Sequence, residues 1–462
     1  MRIVLVGPAH PYKGGGARHT TDLAHRLAAA GHDVVIESWR AQYPARLYPG
    51  QQTIEVPEGE PYPKTRHRLA WYRPDGWLAA GRRLASADLV IFVLLTPLQV
   101  PAYLAILASL RLASSPSLSH RPRTMVICHN VLPHERRAGD VVLTRILLAH
   151  VDTVLTHSPA QAELARTLAP AVAVVTARMP SHLPCYPCLP GEATPRTPPI
   201  TGGLPAPPSP PGPPAGGTPG PLASRGEGAP GLLDPSSERA SANGSGGGVR
   251  LLFFGIVRPY KGLDVLLRAM ARAPEHLTLT VAGEFWGGTG GTEKLIAELG
   301  LQDRVRLRPG YVPASGIPAL FAAADVLVLP YREATASQNA LLAFAHGVPV
   351  ITTTAGVLAD LVRDGVDGLT CAPGDVADLA RVLREISGPG TARRLRAGVT
   401  ATDPEPGWTE YLRALLARLG RPTAPASARP SPPPSGLAPG PSRLAPGPSR
   451  LAPASSGAEP GR

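Results

Sequence analysis

Arg258 and Lys261 stand three residues apart in Gly255-Ile256-Val257-Arg258-Pro259-Tyr260-Lys261-Gly262, and their types and spacing suit the gripping of phosphate. Lysine brings a compact, flexible point charge, and arginine a planar fork of donors. Only four of the 46 basic residues are lysines, so a lysine at this turn stands out against an arginine-rich background. Taken alone, the segment also fits a solvated strand-to-helix turn. A second candidate is Gly14-Gly15-Gly16, whose backbone N–H groups can approach an oxyanion at a helix N-terminus, where aligned peptide dipoles favour negative charge. By itself that run reads equally well as a surface turn. The third is His129, delivered with Asn130 by an apolar run at 125–128. Polar side chains at the carboxyl ends of parallel strands line ligand crevices, although a lone histidine there is often structural. His157-Ser158-Pro159 repeats the pattern more weakly, because Ser158 is also suited to cap a helix over 159–168.

The elements that must position these residues read as alternating strands and helices. Residues 3–6 are a short apolar strand, 7–16 a Gly/Pro loop, 17–30 a helix ended by Gly31, and 33–36 a second strand. This is a strand, glycine loop, helix and strand unit of the nucleotide-handling kind, although the Gly-x-Gly-x-x-Gly spacing is absent. In the second half, residues 250–254 form an apolar strand, 263–270 an amphipathic helix and 277–281 a further strand. The 22 residues from 89 to 110 carry no charge, long enough to span a bilayer core of ~30 Å. Thr96, Pro97, Gln99 and Pro101 interrupt the middle, which favours a buried strand, a loop and a helix over 102–112 instead.

Composition sets the outer frame. At 462 residues the chain can hold two domains. Its 56 prolines and 49 glycines crowd into 185–249 and into the tail beyond 420, where Leu437-Ala438-Pro439-Gly440-Pro441-Ser442-Arg443 begins a seven-residue repeat. Such segments bury too little apolar surface to offset chain entropy, so both are expected to be disordered. Cys185-x-x-Cys188 lacks a second ligand pair for zinc, and Cys128 and Cys371 fit reduced core thiols. The N-terminus shows no secretory signal, since its apolar run stops at Gly7-Pro8. The net charge of +12 is concentrated in residues 1–180, where 20 Lys/Arg stand against 12 Asp/Glu. Arg66, Arg68, Arg73, Arg82, Arg83, Arg111, Arg121, Arg123, Arg136 and Arg137 point to an anionic membrane surface or a lipid-phosphate acceptor, or simply to a solvated arginine-rich face. No recognised nucleic-acid motif accompanies the charge, so nucleic acid is not expected as a partner.

Several further motifs follow the Arg258–Lys261 turn in order: Val281-Ala282-Gly283-Glu284-Phe285-Trp286, Ala324-Asp325-Val326-Leu327-Val328-Leu329-Pro330-Tyr331, Gly347-Val348-Pro349-Val350-Ile351 and Asp364-Gly365-Val366-Asp367-Gly368-Leu369. Over about residues 250–385 the chain resembles the second half of a family 4 glycosyltransferase, and Gly14–Gly16 before Arg18-His19 resembles that family's amino-terminal glycine loop. The resemblance implies an α/β fold of two facing Rossmann-like domains, the GT-B architecture, with a disordered interdomain insertion and a disordered C-terminal tail. The expected organisation is an acceptor-binding domain over 1–180, a linker insertion over 181–249, a nucleotide-sugar domain over 250–405, a helix over 406–420 crossing back to brace the first domain, and a tail over 421–462. It implies a retaining transferase that moves a hexose from a nucleotide-diphosphate sugar to a glycan or lipid-linked acceptor in cell-surface polysaccharide synthesis. The expected location is the cytoplasm, with peripheral contact at the inner face of the plasma membrane. His129 would lie beside the transferred sugar, and Arg258 and Lys261 would stabilise charge growing on the departing diphosphate. Gly14, Gly15, Gly16, Gly255 and Glu284 would belong to the donor site. With no Asp-x-Asp pair in the chain, no metal and no cofactor is expected.

The chain departs from the family at one place. Many members carry two glutamates eight residues apart after the strand corresponding to 325–331, one near the sugar and one at the ribose. Here Glu333 can be the first, but Leu341 stands at the second position. The local sequence instead resembles a Thr/Ser-rich branch, with Thr335 in the donor site and Ser337 capping a helix through His346, so that the N–H groups of Gln338 and Asn339 meet the diphosphate. The missing carboxylate keeps a second class open, a catalytically weakened nucleotide-sugar-binding subunit. An epimerase on the same twin-domain architecture fits the Glu284 motif less well.

Overall fold

Two parallel sheets make up the computed structural model, which describes residues 1–44, 51–57, 59–114, 121–182, 248–335, 337–401 and 403–417. In the first, β1 (Arg2–Val6) is followed by α1 (Gly15–Ala29), β2 (Asp33–Ala41), β3 (Thr65–Ala70), α2 (Pro74–Leu84), β4 (Leu89–Leu94), α3 (Val100–Ala113) and β5 (Arg123–Cys128). Then come α4 (Asp140–Ala149), β6 (Thr153–Thr156), α5 (Pro159–Leu168) and β7 (Ala173–Thr176). The strands lie in the order β3-β2-β1-β4-β5-β6-β7. The second sheet begins with β8 (Arg250–Phe254), α6 (Leu263–Met270), β9 (Thr278–Gly283), α7 (Gly290–Glu298), β10 (Val305–Pro309) and α8 (Ile317–Ala322). It continues through β11 (Val326–Leu329), α9 (Gln338–Ala345), β12 (Val350–Thr353) and β13 (Gly368–Cys371), followed by α10 (Val376–Ile386), α11 (Thr391–Gly398) and α12 (Pro404–Leu416). Its order is β10-β9-β8-β11-β12-β13. Every pairing inside both sheets is parallel.

Both faces of such sheets are covered by crossover helices, so the central strands read as unbroken apolar runs. In β4, Leu-Val-Ile-Phe-Val-Leu, all six residues are buried. The uncharged stretch from 89 to 110 therefore divides into β4, a turn at Pro97–Gln99 and α3. The Gln99 side chain accepts the N–H groups of Leu95 (2.9 Å) and Thr96 (3.3 Å), which breaks the run. The helix begins at Val100, two residues before the expected start. Among the described residues no helix is long and apolar enough to cross a membrane.

In each sheet the strand order reverses at its first strand, β1 and β8, and the loops beyond that reversal form the crevice in which open α/β sheets bind ligands. The glycine loop follows β1, and the Arg258–Lys261 turn follows β8. Helix α12 packs on the first sheet's side. Trp408 is buried, its Nε1–H donates to the Ser181 carbonyl (2.9 Å), and Glu405 takes both ends of the Arg26 guanidinium at 2.6 Å. Cys128 and Cys371 are buried free thiols, both pushed up to about 12 by burial. The expected insertion with Cys185 and Cys188, and the tail beyond 420, lie outside the described residues.

Candidate functional site

On the second sheet's side the site is built on Gly255, which ends β8 at a φ of 102°. A Cβ there would lie 3.2 Å from Asn339 Nδ2 and 3.4 Å from Lys261 Nζ, so the glycine lets the start of α9 and the lysine converge. Asn339 donates to the Phe254 carbonyl (2.9 Å) and to the Tyr331 hydroxyl (3.3 Å). Lys261 Nζ lies 5.3 Å from the centre of the Tyr331 ring and has no hydrogen bond or ion pair among the described residues. Burial, and to a smaller degree Arg258, lower its pKa from the usual lysine value, with the Tyr260 hydroxyl opposing. Burial also pushes Tyr331 up to about 12.

Ser337 sits at the N-cap of α9 with extended backbone, but its side chain makes no capping bond, contrary to the expected cap. Its hydroxyl interacts with Tyr331 instead, and the helix stops at Ala345 with His346 as its C-cap. Ser337 therefore leaves the opening turn of α9 without a side-chain cap of its own. Gln338 reaches across to the first sheet's side, where its Nε2 donates to the Pro180 carbonyl (3.0 Å) and its Oε1 accepts the His182 N–H (3.2 Å). Thr335 donates to the Asn130 side chain, and Glu333, two-thirds exposed, pairs with His134 Nδ1 at 3.0 Å.

From the other side come Gly15 and Gly16, the first residues of α1. A Cβ on Gly16 would lie 2.4 Å from Leu95 Cδ2, so a larger residue at the start of this helix makes that leucine side chain shift. His129 follows β5, its ring edge-on to His19 and tilted against His157, both at 5.2 Å. Its Nε2 is buried and unpartnered among the described residues. His19 is fully buried at the centre of this cluster, stacked on Trp408 (5.5 Å, 15°), with Nε2 2.9 Å from the Tyr411 hydroxyl. His182 packs edge-on against it at 5.1 Å and pairs with Asp22 at 3.1 Å. Burial, reinforced by the neighbouring rings, lowers His19 and His129 well below the ordinary imidazole value. His157 is lowered to about 4, mainly by burial, although its Nδ1–H donates to the Ala177 carbonyl at 3.2 Å. Ser158 caps α5 by accepting the Gln161 N–H, as its position implied.

A cleft of about 310 Å³ thus gathers Gly15, Gly16 and His129 from one side and Lys261, Glu333 and Thr335 from the other. Ser337, Gln338 and Asn339 line it as well. Four expected residues lie outside its walls, Gly255 beneath the Asn339 and Lys261 side chains being the first. Gly14 and Arg258 line a neighbouring cavity of about 350 Å³. Arg258 is engaged there by Glu135, with Nε 3.1 Å from Oε1 and a second bond from Nη2 to Oε2, and it lies 4.3 Å from the centre of the Trp286 ring. Glu284 pairs with Lys13, whose side chain is 3% exposed. Lys13, Glu135 and the ring cluster around His19 were not singled out from the sequence. The rarity of lysine was a usable signal for Lys13, which directly precedes the glycine loop. Among the described residues no group of three or more His, Cys, Asp or Glu side chains is arranged to hold a metal ion.

Comparison with known proteins places the two sheets in one family. The model for Glycosyltransferase Family 4 matches residues 13–176, and that for Glycosyl transferases group 1 matches residues 248–387. A D-inositol 3-phosphate glycosyltransferase of Thermomonospora curvata is 36% identical over 179 residues, 36% of this chain and 41% of that protein. One from Frankia alni is 34% identical over 208 residues, 42% of this chain and 50% of its own length. The chain therefore spans half or less of these relatives. Among solved structures, sucrose-phosphate synthase from Thermosynechococcus elongatus superposes with a TM-score of 0.59 at 18% identity, covering 90% of this chain and 98% of that one. Anabaena Alr3699/HepE in complex with UDP and glucose gives 0.58 at 15% identity, covering 90% and 99%. These two likenesses speak for the fold, two parallel α/β halves facing one cleft. With one family model over each sheet, in order along the chain, this protein belongs to the family 4 glycosyltransferases of GT-B architecture.

Proposed function

We propose that the protein transfers a hexose from a nucleoside-diphosphate sugar to a glycan or lipid-linked acceptor, with retention at the anomeric carbon. The observation that carries this reading is the Lys261 ammonium, unpartnered among the described residues and placed beside the start of α9 in a cleft between two nucleotide-handling sheets. As the anomeric C–O bond breaks toward an oxocarbenium-like state, negative charge grows on the departing diphosphate. Lys261, the first N–H groups of α9 and Arg258 supply preorganised positive potential to that charge, so no metal ion is required. His129 and Glu333 face the transferred sugar, and Gly15 and Gly16 let the start of α1 approach it. Gly14, Gly255, Glu284, Thr335 and Ser337 shape the donor site, which Gln338 and Asn339 tie to the neighbouring backbone.

UDP and glucose in the complex of the Anabaena protein support a nucleoside-diphosphate donor, and the names of the curated relatives make inositol phosphates the first acceptors to try. The proposed location is the cytoplasm, with the basic first half touching an anionic inner membrane face. Arg68, Arg82 and Arg136 are exposed and without ion pairs among the described residues. Arg66 and Arg83 instead bind the buried Glu37.

Leu341 at the ribose position favours a second reading, a subunit that binds nucleotide sugars without turnover. A binding screen of nucleotide sugars followed by donor-hydrolysis assays separates the two. Binding with hydrolysis supports the transferase, binding alone supports the subunit, and no binding of any donor refutes both. Turnover unaffected by excess chelator supports the metal-free chemistry, and dependence on added manganese overturns it.

A further inference from the structure

Arg258 is held from across the cleft. The carboxylate of Glu135, on the loop between β5 and α4, takes its Nε–H and Nη2–H together. That edge of a guanidinium is the fork that fits a planar carboxylate or a phosphate, and it accommodates one such oxyanion at a time. Trp286 covers one face of the guanidinium, leaving the in-plane fork as its chief polar contact. Lys261, three residues on, carries no such partner among the described residues, so the two cations of the turn are in different states. The pair is partly exposed, with Arg258 at 22% and Glu135 at 42%, and an ion pair in that setting is weak enough for a more highly charged anion to displace it.

We infer that Glu135 is an internal stand-in for the donor's diphosphate, a specificity-determining residue that occupies Arg258 while the site is empty and must leave it as the donor enters. The inference rests on the transferase reading above. Glu135 also lines the neighbouring cavity of about 350 Å³ on the glycine-loop side, so its departure from Arg258 changes the charge facing that cavity. The carboxylate thereby lowers affinity for weaker anions, which would otherwise settle on a free guanidinium, and couples donor entry to the opposite wall of the cleft.

The test is calorimetric titration of the full-length protein with UDP, GDP and ADP at low ionic strength, comparing wild type with Glu135→Gln, Glu135→Asp, Arg258→Gln and the Glu135→Gln/Arg258→Gln double variant. Melting temperatures check that each variant is folded, and the Asp variant carries the comparison if the Gln variant is not. Glu135→Gln is expected to bind the preferred diphosphate up to about fivefold more tightly, the scale of a partly exposed ion pair. Glu135→Asp should fall between it and wild type. The gain should vanish in the Arg258→Gln background, because the competition needs the guanidinium. Unchanged or weaker binding in Glu135→Gln, or a gain that survives without Arg258, overturns the inference while leaving the transferase reading standing. No binding of any diphosphate by wild type or variants removes both.

Discussion

Acidifying the protein from pH 7.5 to 5.5 perturbs the buried histidines before most carboxylates begin to titrate. His157 takes its proton near 6.5 in the unfolded chain and at about 4 in the folded one. Between those values the unfolded state binds more protons, so stability rises with pH in that window. The contribution is fully present above about 6.5, is lost progressively as pH falls, and is gone near 4. The 2.5-unit difference corresponds to ~3.4 kcal/mol over the whole window, of which ~1.3 kcal/mol falls between pH 7.5 and 5.5. His19 and His129 are lowered in the same direction, by burial first and by the neighbouring rings second, so they deepen the loss in the same window. Urea unfolding followed by circular dichroism at half-unit pH steps measures it. His157→Gln keeps a donor for the Ala177 carbonyl while removing the titrating ring, and should remove the ~1.3 kcal/mol that His157 contributes between pH 7.5 and 5.5. Stability that stays level from pH 7.5 to 5.5, or a slope unchanged in His157→Gln, would falsify the account of the cluster as neutral imidazoles held by burial.

Three further outcomes follow from the same geometry. Lys261→Met should leave the melting temperature close to wild type but lower donor hydrolysis by ~10²–10³, the loss of one preorganised charge contact; activity within threefold of wild type contradicts its role at the diphosphate. Trp408→Ala removes the ring stacked on His19 and should lower unfolding stability by ~3–5 kcal/mol, and an effect below about 1 kcal/mol by urea titration would show that α12 is not packed as described. Arg68→Glu/Arg82→Glu should reduce flotation with phosphatidylglycerol vesicles at low salt without altering nucleotide affinity, whereas flotation insensitive to both salt and charge reversal rules out electrostatic docking. Arg83→Glu is a poor probe of the membrane, because it leaves the buried Glu37 with Arg66 alone, sets a second carboxylate beside it and should act first on stability.

The fold was legible because parallel sheets covered on both faces leave an unmistakable trace. Leu89–Leu94 and Val326–Leu329 are wholly buried, and their uninterrupted apolar runs say so without any coordinates. The wall of the cleft was legible wherever a residue directly follows such a strand, as His129 follows Cys128 and Gly255 follows Phe254. What stayed hidden was pairing across the cleft. Lys13 and Glu284 are 271 positions apart, and Arg258 and Glu135 are 123 apart. No periodicity records partners at such separations, which exist only once both sheets have formed. The histidine cluster was hidden for the same reason, since His19 meets Tyr411 across 392 positions. The Ser337 cap failed for a local reason, because position at a helix start does not fix the rotamer, and the Ser337 side chain makes no capping bond to the first N–H groups of α9.

The return of α12 to the first sheet has a mechanical consequence. The chain passes between the two halves twice, once through the segment after His182 and once just before Asp403, and the two passages touch. Trp408 bonds the Ser181 carbonyl, and a Cβ added to Gly407 would lie 3.8 Å from Pro180 Cβ. Two adjacent crossings act like a door hung on a single post, allowing rotation about a short axis and resisting twist or sliding. Such a rotation has to part the Lys13–Glu284 ion pair, which joins the loops after β1 and β9. With Trp408 and Gly407 held against Ser181 and Pro180, the second passage joins the two halves independently of the first.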